Sequence, residues 1–213
     1  MLCRIRFAAA IVFMTVATVQ SRDMVCGEGV AACGVLALMT GLGSGVQNVS
    51  GGAVYGHPFP VVHGLWPQTP PYGNSECLAP GNATPPTTVY PCYTCAKGDT
   101  NCSSTKGHSP LEFEVHEFGK HGICAGIANA EDFFGQVCAL SAQPLDVLKR
   151  ERAAGTRALS DFTKALEAEA NHTEVFYSNE HTMEVYLSAC RNQATGKWVL
   201  APSGDFAKWC SGM

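Results

Sequence analysis

Phe113-Glu114-Val115-His116-Glu117-Phe118-Gly119-Lys120-His121-Gly122-Ile123-Cys124 gathers two histidines, two glutamates and a lysine into twelve residues. Upstream, Val62-His63-Gly64-Leu65-Trp66-Pro67 carries a third histidine, so three of the chain's seven histidines fall in two short segments. Such a set is a poor way to build a core, because charged side chains are almost never buried unpaired. Read as strand or irregular turn, the two segments let several of these polar heads converge on one point. Two histidines suit acid–base chemistry, since an ordinary pKa near 6.5 lets one be neutral while the other is protonated. Lys120 adds fixed positive charge for a developing anion, and Trp66 offers a flat face of the kind on which a nucleobase stacks. Gly64 and Gly122 permit close backbone approach. Taken singly, each residue also has a bland reading, as a surface or satisfied core histidine or as a core tryptophan. His116 and His121 stand five residues apart, which does not give metal ligands the shared helix face of an i,i+4 pair.

Outward from these segments, the pattern is that of an α+β domain. Val35–Met39 is an apolar run expected as a strand, and Val61-Val62 a short buried strand leading into His63. Ala130–Leu148 and Arg157–Ala170 carry helix-forming residues, the second with Leu159, Phe162 and Leu166 at helical spacing. Thr182–Ser188 alternates, placing Met183, Val185 and Leu187 on a buried face and Glu184 and Tyr186 on the other. Lys197–Leu200 is a further candidate strand. The fold class expected is a single α+β domain, a central antiparallel sheet flanked by helices, with loops stapled by disulfides. Gln68–Lys106 is dense in Pro, Gly, Asn, Ser and Thr, carries four cysteines and reads as a long loop. No internal repeat is visible.

The 213 residues suffice for one domain with a substantial core, and 46% hydrophobic against 15% charged residues excludes a disordered polymer. A formal net charge of −4 argues against binding nucleic acid through a broad basic surface. It allows an enzyme that holds one phosphate at a time. Arg4 and Arg6 precede an uncharged apolar run, Phe7–Val19, of about 13 residues, short of the ~20 that span a bilayer. Residues 1–21 are therefore expected to be a cleaved signal peptide and 22–213 the functional domain. Of eleven cysteines, loss of Cys3 leaves an even set, which behind a signal peptide implies disulfides in an oxidising compartment. A Cys26–Cys33 bridge is expected. Cys92-Tyr-Thr-Cys95 has zinc-ligand spacing and keeps a metal site as the alternative. Sequons begin at Asn48, Asn82, Asn101 and Asn171.

His63-Gly64-Leu65-Trp66-Pro67 resembles the first active-site signature of the ribonuclease T-two family, the secreted acid endoribonucleases. His116–Cys124 resembles the second, in the expected order and separation, and the likeness extends more loosely through Met183–Cys190 to Cys210. The resemblance implies an endoribonuclease that cleaves single-stranded RNA through a 2′,3′-cyclic phosphate, needs no cofactor or metal, and does not cut DNA. It implies His121 as general base, His63 as general acid, and Lys120 with Glu117 steadying the phosphorane. It also implies His116 on the phosphate, and Trp66 with Tyr72 on the base. Bridges Cys77–Cys124 and Cys190–Cys210 follow from it, as does a monomer in the extracellular space or a vacuolar or lysosomal compartment, off the membrane once the leader is removed. An acidic, bell-shaped pH–rate profile and weak salt dependence are expected. Two features depart from the family. The Trp-Pro that usually follows the first strand is missing after Leu36–Gly41. Glu114 stands where an aromatic is common, and an acid there is expected to repel phosphate or raise a histidine pKa. The alternatives are a family-like secreted scaffold that binds without cutting, and an unrelated cysteine-rich binding module.

Overall fold

The computed structural model describes residues 24–43, 46–47, 54–55, 57–68, 83–94, 110–127 and 129–212. The expected leader, Tyr72, Cys77, Cys95, Cys102 and the sequons at Asn48, Asn82 and Asn101 lie outside them.

The chain folds as one α+β domain. Strand β1 (Cys33–Met39) is apolar at nearly every position, is buried throughout and occupies the interior of the sheet. It pairs antiparallel with β4 (Val61–Pro67) on one side and with β6 (Glu184–Arg191) on the other. β5 (Val175–Asn179) and β7 (Trp198–Leu200) both pair antiparallel with β6. Pro67 ends the edge strand β4, where its missing N–H breaks no ladder. A two-stranded ribbon, β2 (Val46–Gln47) with β3 (Val54–Tyr55), stands apart from this sheet.

Both faces of the sheet are covered. Leu36 and Leu38 of β1 and Val62 and Leu65 of β4 join the main core, with Phe133, Phe134, Val137 and Leu148 of α2 (Ala130–Ala153) and Phe162 and Leu166 of α3 (Leu159–Glu169). Val35 and Ala37 face the opposite way, into a smaller cluster with Met24, Tyr186 and Phe206 of the short helix α4 (Phe206–Cys210). The expectation of one buried face for the strand around residue 185 is thereby corrected: Glu184 and Tyr186 are covered too, because this second cluster closes the far side.

Local rules account for the longest helix. Asn129 caps α2 by accepting the Asp132 N–H at 2.9 Å. Glu131 and Asp132 in its first turn, and Arg150 and Arg152 in its last, suit the helix dipole. The segment Leu111–Cys124 departs from expectation: Pro110–Lys120 is helix α1, followed by a tight turn at Gly122–Cys124. Its buried positions are Phe113, Glu114, Glu117 and Phe118, a helical stripe in which glutamate fills two of four places.

Disulfides join Cys26 to Cys33, Cys92 to Cys138 and Cys190 to Cys210. The first and last match the sequence reading. The second corrects the zinc alternative at Cys92: its sulfur is tied to α2. Cys124 is also disulfide-bonded, and its expected partner Cys77 is outside the described residues. The Cys92–Cys138 bridge closes a separation of 46 residues, worth about 4 kcal/mol by chain entropy alone. Among the described residues, no helix is long and apolar enough to cross a membrane.

Candidate active site

A bulge in β4 places the first histidine. Ala37 pairs with Gly64 and Leu38 with Val62, which leaves His63 as the extra residue. Regular alternation backwards from Trp66 would turn His63 into the main core beside Leu65. The inserted residue keeps it on the side of Gly64 and Trp66 instead. There its ring packs against Trp66 (centroids 4.7 Å apart) and Phe113 of α1 (5.3 Å).

Helix α1 supplies the other polar heads. Phe113 and Glu117 are one turn apart on the same face, and Lys120 and His121 follow in the next turn. The His121 N–H still closes on the Glu117 carbonyl at 2.9 Å, so His121 ends the helical run. Its ring stacks on the Trp66 indole, with centroids 5.2 Å apart and planes 27° apart. Trp66 thus touches both histidines, and its Nε1–H donates to Glu117 Oε2 at 2.9 Å. His116 and Lys120, i and i+4 on α1, are half-buried beside this cluster.

The close approach of α1 to β4 depends on Gly64. A Cβ there would lie 2.1 Å from Glu117 Oε2 and 2.7 Å from Trp66 Nε1. No side chain fits between the strand and this carboxylate.

Two carboxylates hold His63. Nδ1 lies 2.5 Å from Glu184 Oε1, and Nε2 lies 3.5 Å from Glu117 Oε1. Both glutamates are almost completely buried. Burial of His63 opposes its charge, but Glu117 and Glu184 together outweigh it and raise the imidazole to about 10. Burial likewise works to raise Glu117, yet cationic His63, then His121 and the Trp66 N–H, hold it below the usual carboxylate range. His121 behaves in the opposite way. Burial disfavours its charge, Glu117 only partly compensates, and Lys120, His63 and His116 repel it, so that it falls to about 4. Between those limits one histidine is a cation and the other a neutral base, the separation that acid–base catalysis requires.

The structure therefore brings together His63, Trp66, Glu117 and His121, with His116 and Lys120 near enough to act on His121. Two residues of the cluster escaped sequence reading. Glu184 begins β6 opposite Met39 of β1, and its Oε2 accepts the Tyr186 hydroxyl at 3.0 Å. Strand alternation paired these two on one face, and only the second cluster beneath β1 reveals that this face is interior.

Glu114 is fully buried. It lies in the core with Oε1 accepting the Tyr90 N–H at 2.8 Å. Burial, only partly offset by that hydrogen bond, raises it to about 7. It ties α1 to the 83–94 segment, and neither histidine owes its shift to it.

Comparisons of the chain with protein families, with curated proteins and with solved structures find no match.

Proposed function

We propose that this chain is an endoribonuclease of the ribonuclease T-two type, cleaving single-stranded RNA by histidine acid–base catalysis. One observation carries the reading: two histidines flank one indole and are driven to opposite protonation states, His63 cationic between two buried carboxylates and His121 neutral. The two signature segments, which resemble that family, are the segments that meet here.

In this reading neutral His121 takes the proton from a ribose 2′-hydroxyl. The 2′-oxygen attacks the adjacent phosphorus, and the bond from phosphorus to the 5′-oxygen breaks as His63 delivers a proton to that oxygen. A 2′,3′-cyclic phosphate and a 5′-hydroxyl leave. His121 ends protonated and His63 neutral, and solvent exchange restores both. The nucleophile belongs to the substrate, so the reaction itself calls for no metal or cofactor, and DNA has nothing to attack with. Lys120 and His63 supply positive charge to the phosphorane, while His116 serves the phosphate. Glu117 acts through its neighbours, holding Trp66 and sustaining the charge on His63. Because Trp66 is already engaged with both histidines, a base stacks at most on its exposed part. Tyr72 remains the other candidate for the base. The disulfides fit secretion or delivery to a vacuole or lysosome behind a cleaved leader, and we read the protein as a monomer.

The test is incubation of the oxidised protein with single-stranded RNA and matched DNA in EDTA, beside His63→Ala and His121→Ala. Cutting of RNA alone, with cyclic-phosphate ends and loss in both variants, is expected. A folded protein that cuts nothing between pH 4 and pH 9 would leave a binding scaffold as the reading.

A further inference from the structure

We propose that Glu184, steadied by the Tyr186 hydroxyl, is the positioning residue of His63: it fixes the Nδ1 proton, so that Nε2 is the nitrogen that gives up and regains a proton. The inference rests on the reading of His63 as general acid and adds a residue pair from a strand that neither signature segment contains.

The two contacts of His63 are unequal. Glu184 Oε1 is 2.5 Å from Nδ1, whereas Glu117 Oε1 is 3.5 Å from Nε2. The nearer carboxylate is also the more committed one. Its second oxygen accepts from Tyr186, which is buried beside Trp66 with ring centroids 5.4 Å apart. Its backbone is paired on both sides, to Met39 and to Asn179, which fixes the strand position from which the carboxylate reaches Nδ1. Glu117 is divided, by contrast: its Oε2 accepts from Trp66, and its Oε1 stands 3.5 Å from Nε2, at the long limit of a hydrogen bond, so Nε2 is the more loosely held nitrogen.

Small residues make the reach possible. Glu184 lies two strands from β4, and the side chain spanning the gap between Tyr186 and Gly64 is that of Ala37. Among the described residues, the ionisable groups around His63 are Glu184 and Tyr186 from β6, Glu117 from α1, and His121 beyond the end of α1. Trp66 and Phe113 complete the lining. Burial and Glu184 push the Tyr186 hydroxyl up, so it remains a donor. A carboxylate on the far nitrogen selects one tautomer of the neutral ring after the proton leaves Nε2. It also stabilises the cation before it leaves, the role an orienting acid plays in hydrolytic triads.

The experiment uses the full oxidised chain with Glu184→Gln, Glu184→Asp and Tyr186→Phe. Two readouts are taken: ¹⁵N titration of the His63 ring, and cleavage of a dinucleotide beside a nucleoside 3′-phosphate aryl ester, whose phenolate leaves without an acid. Glu184→Gln is expected to lower cleavage of the dinucleotide by about 100-fold and of the aryl ester by less than about 10-fold. The His63 titration should fall from about 10 towards the ordinary value near 6.5. Aspartate should recover part of both, and Tyr186→Phe, which removes one hydroxyl, should show the same pattern more weakly even if Glu184→Gln does not fold. Equal losses on both substrates with an unchanged His63 titration would overturn the proposal. A shifted titration in a protein whose wild type cuts no RNA would keep the Glu184–His63 linkage and sink the ribonuclease reading instead.

Discussion

Replacing Gly64 by alanine adds one methyl group where the structure has no space for it. The new carbon would stand 2.1 Å from Glu117 Oε2 and 3.1 Å from its Cδ, against a contact distance of roughly 3.5 Å for non-bonded heavy atoms. The carboxylate must retreat by more than an ångström, and it is a buried group on a helix pinned by Phe113 and Phe118. Retreat breaks the 2.9 Å hydrogen bond from Trp66 and removes one of the two charges that keep His63 protonated. Overpacking of this kind costs about 1–3 kcal/mol, and a hydrogen bond to a charged acceptor about 1.5–3 kcal/mol. The second overlaps the first, so a net loss of about 2–4 kcal/mol in urea unfolding is expected. Cleavage of a dinucleotide should fall by at least about 10-fold, which is about 1.4 kcal/mol in the barrier. A double-mutant cycle separates the effects. Glu117→Ala removes the closer of the two heads that clash and leaves the 2.7 Å approach to Trp66 Nε1, so Gly64→Ala in that background should cost clearly less stability than it does alone, while activity stays low. A Gly64→Ala protein with wild-type stability and wild-type turnover would refute the argument that α1 and β4 meet through this glycine.

Three further outcomes are expected. With His63 protonated to about 10 and His121 neutral down to about 4, kcat/KM should rise through the lower value, hold a broad plateau and fall through the upper one. This widens the acidic optimum that unperturbed histidines would give, and a steep drop between pH 6 and 7 would contradict it. Glu114→Gln should stabilise the protein above pH 7 and change little near pH 4. The carboxyl's raised pKa of about 7 means that the folded state resists its ionisation, a penalty that grows as pH climbs from the ordinary range and is complete above pH 7; urea midpoints at the two pH values measure it. Replacing both Cys92 and Cys138 by alanine should cost about 2–4 kcal/mol, and an unchanged thermal midpoint under oxidising conditions would count against the bridge.

What could be read from the sequence is the part governed by simple periods. β1 is an unbroken apolar run, α3 repeats its apolar residues at helical spacing, and the cysteines at 26, 33, 190 and 210 pair as expected. Helix α1 was illegible for a physical reason: two of its four buried positions are glutamates that serve a site and a tether, so its inward stripe does not look apolar. β4 showed its histidine but not the bulge that turns it, since a register shift depends on the partner strand. Glu184 and Tyr186 were placed correctly on a common face, but whether that face is wet or dry depends on Met24 and Phe206 at opposite ends of the described chain.

The two bridges at the far end of the sheet also decide how the fold would answer a pull. Cys33 and Cys190 sit opposite each other in the β1–β6 ladder, and each is joined by sulfur to a terminal segment, through Cys26 and Cys210. Tension applied between residues 24 and 212 would bypass the intervening loops, α4 and β7, and arrive at one rung. Because β1 begins where β6 ends, that load would peel the two strands apart rung by rung rather than shear all rungs together. A domain stapled against heat and proteases is thus arranged to open like a zip under mechanical load, and a tweezers trace with a high, single-step rupture force would show otherwise.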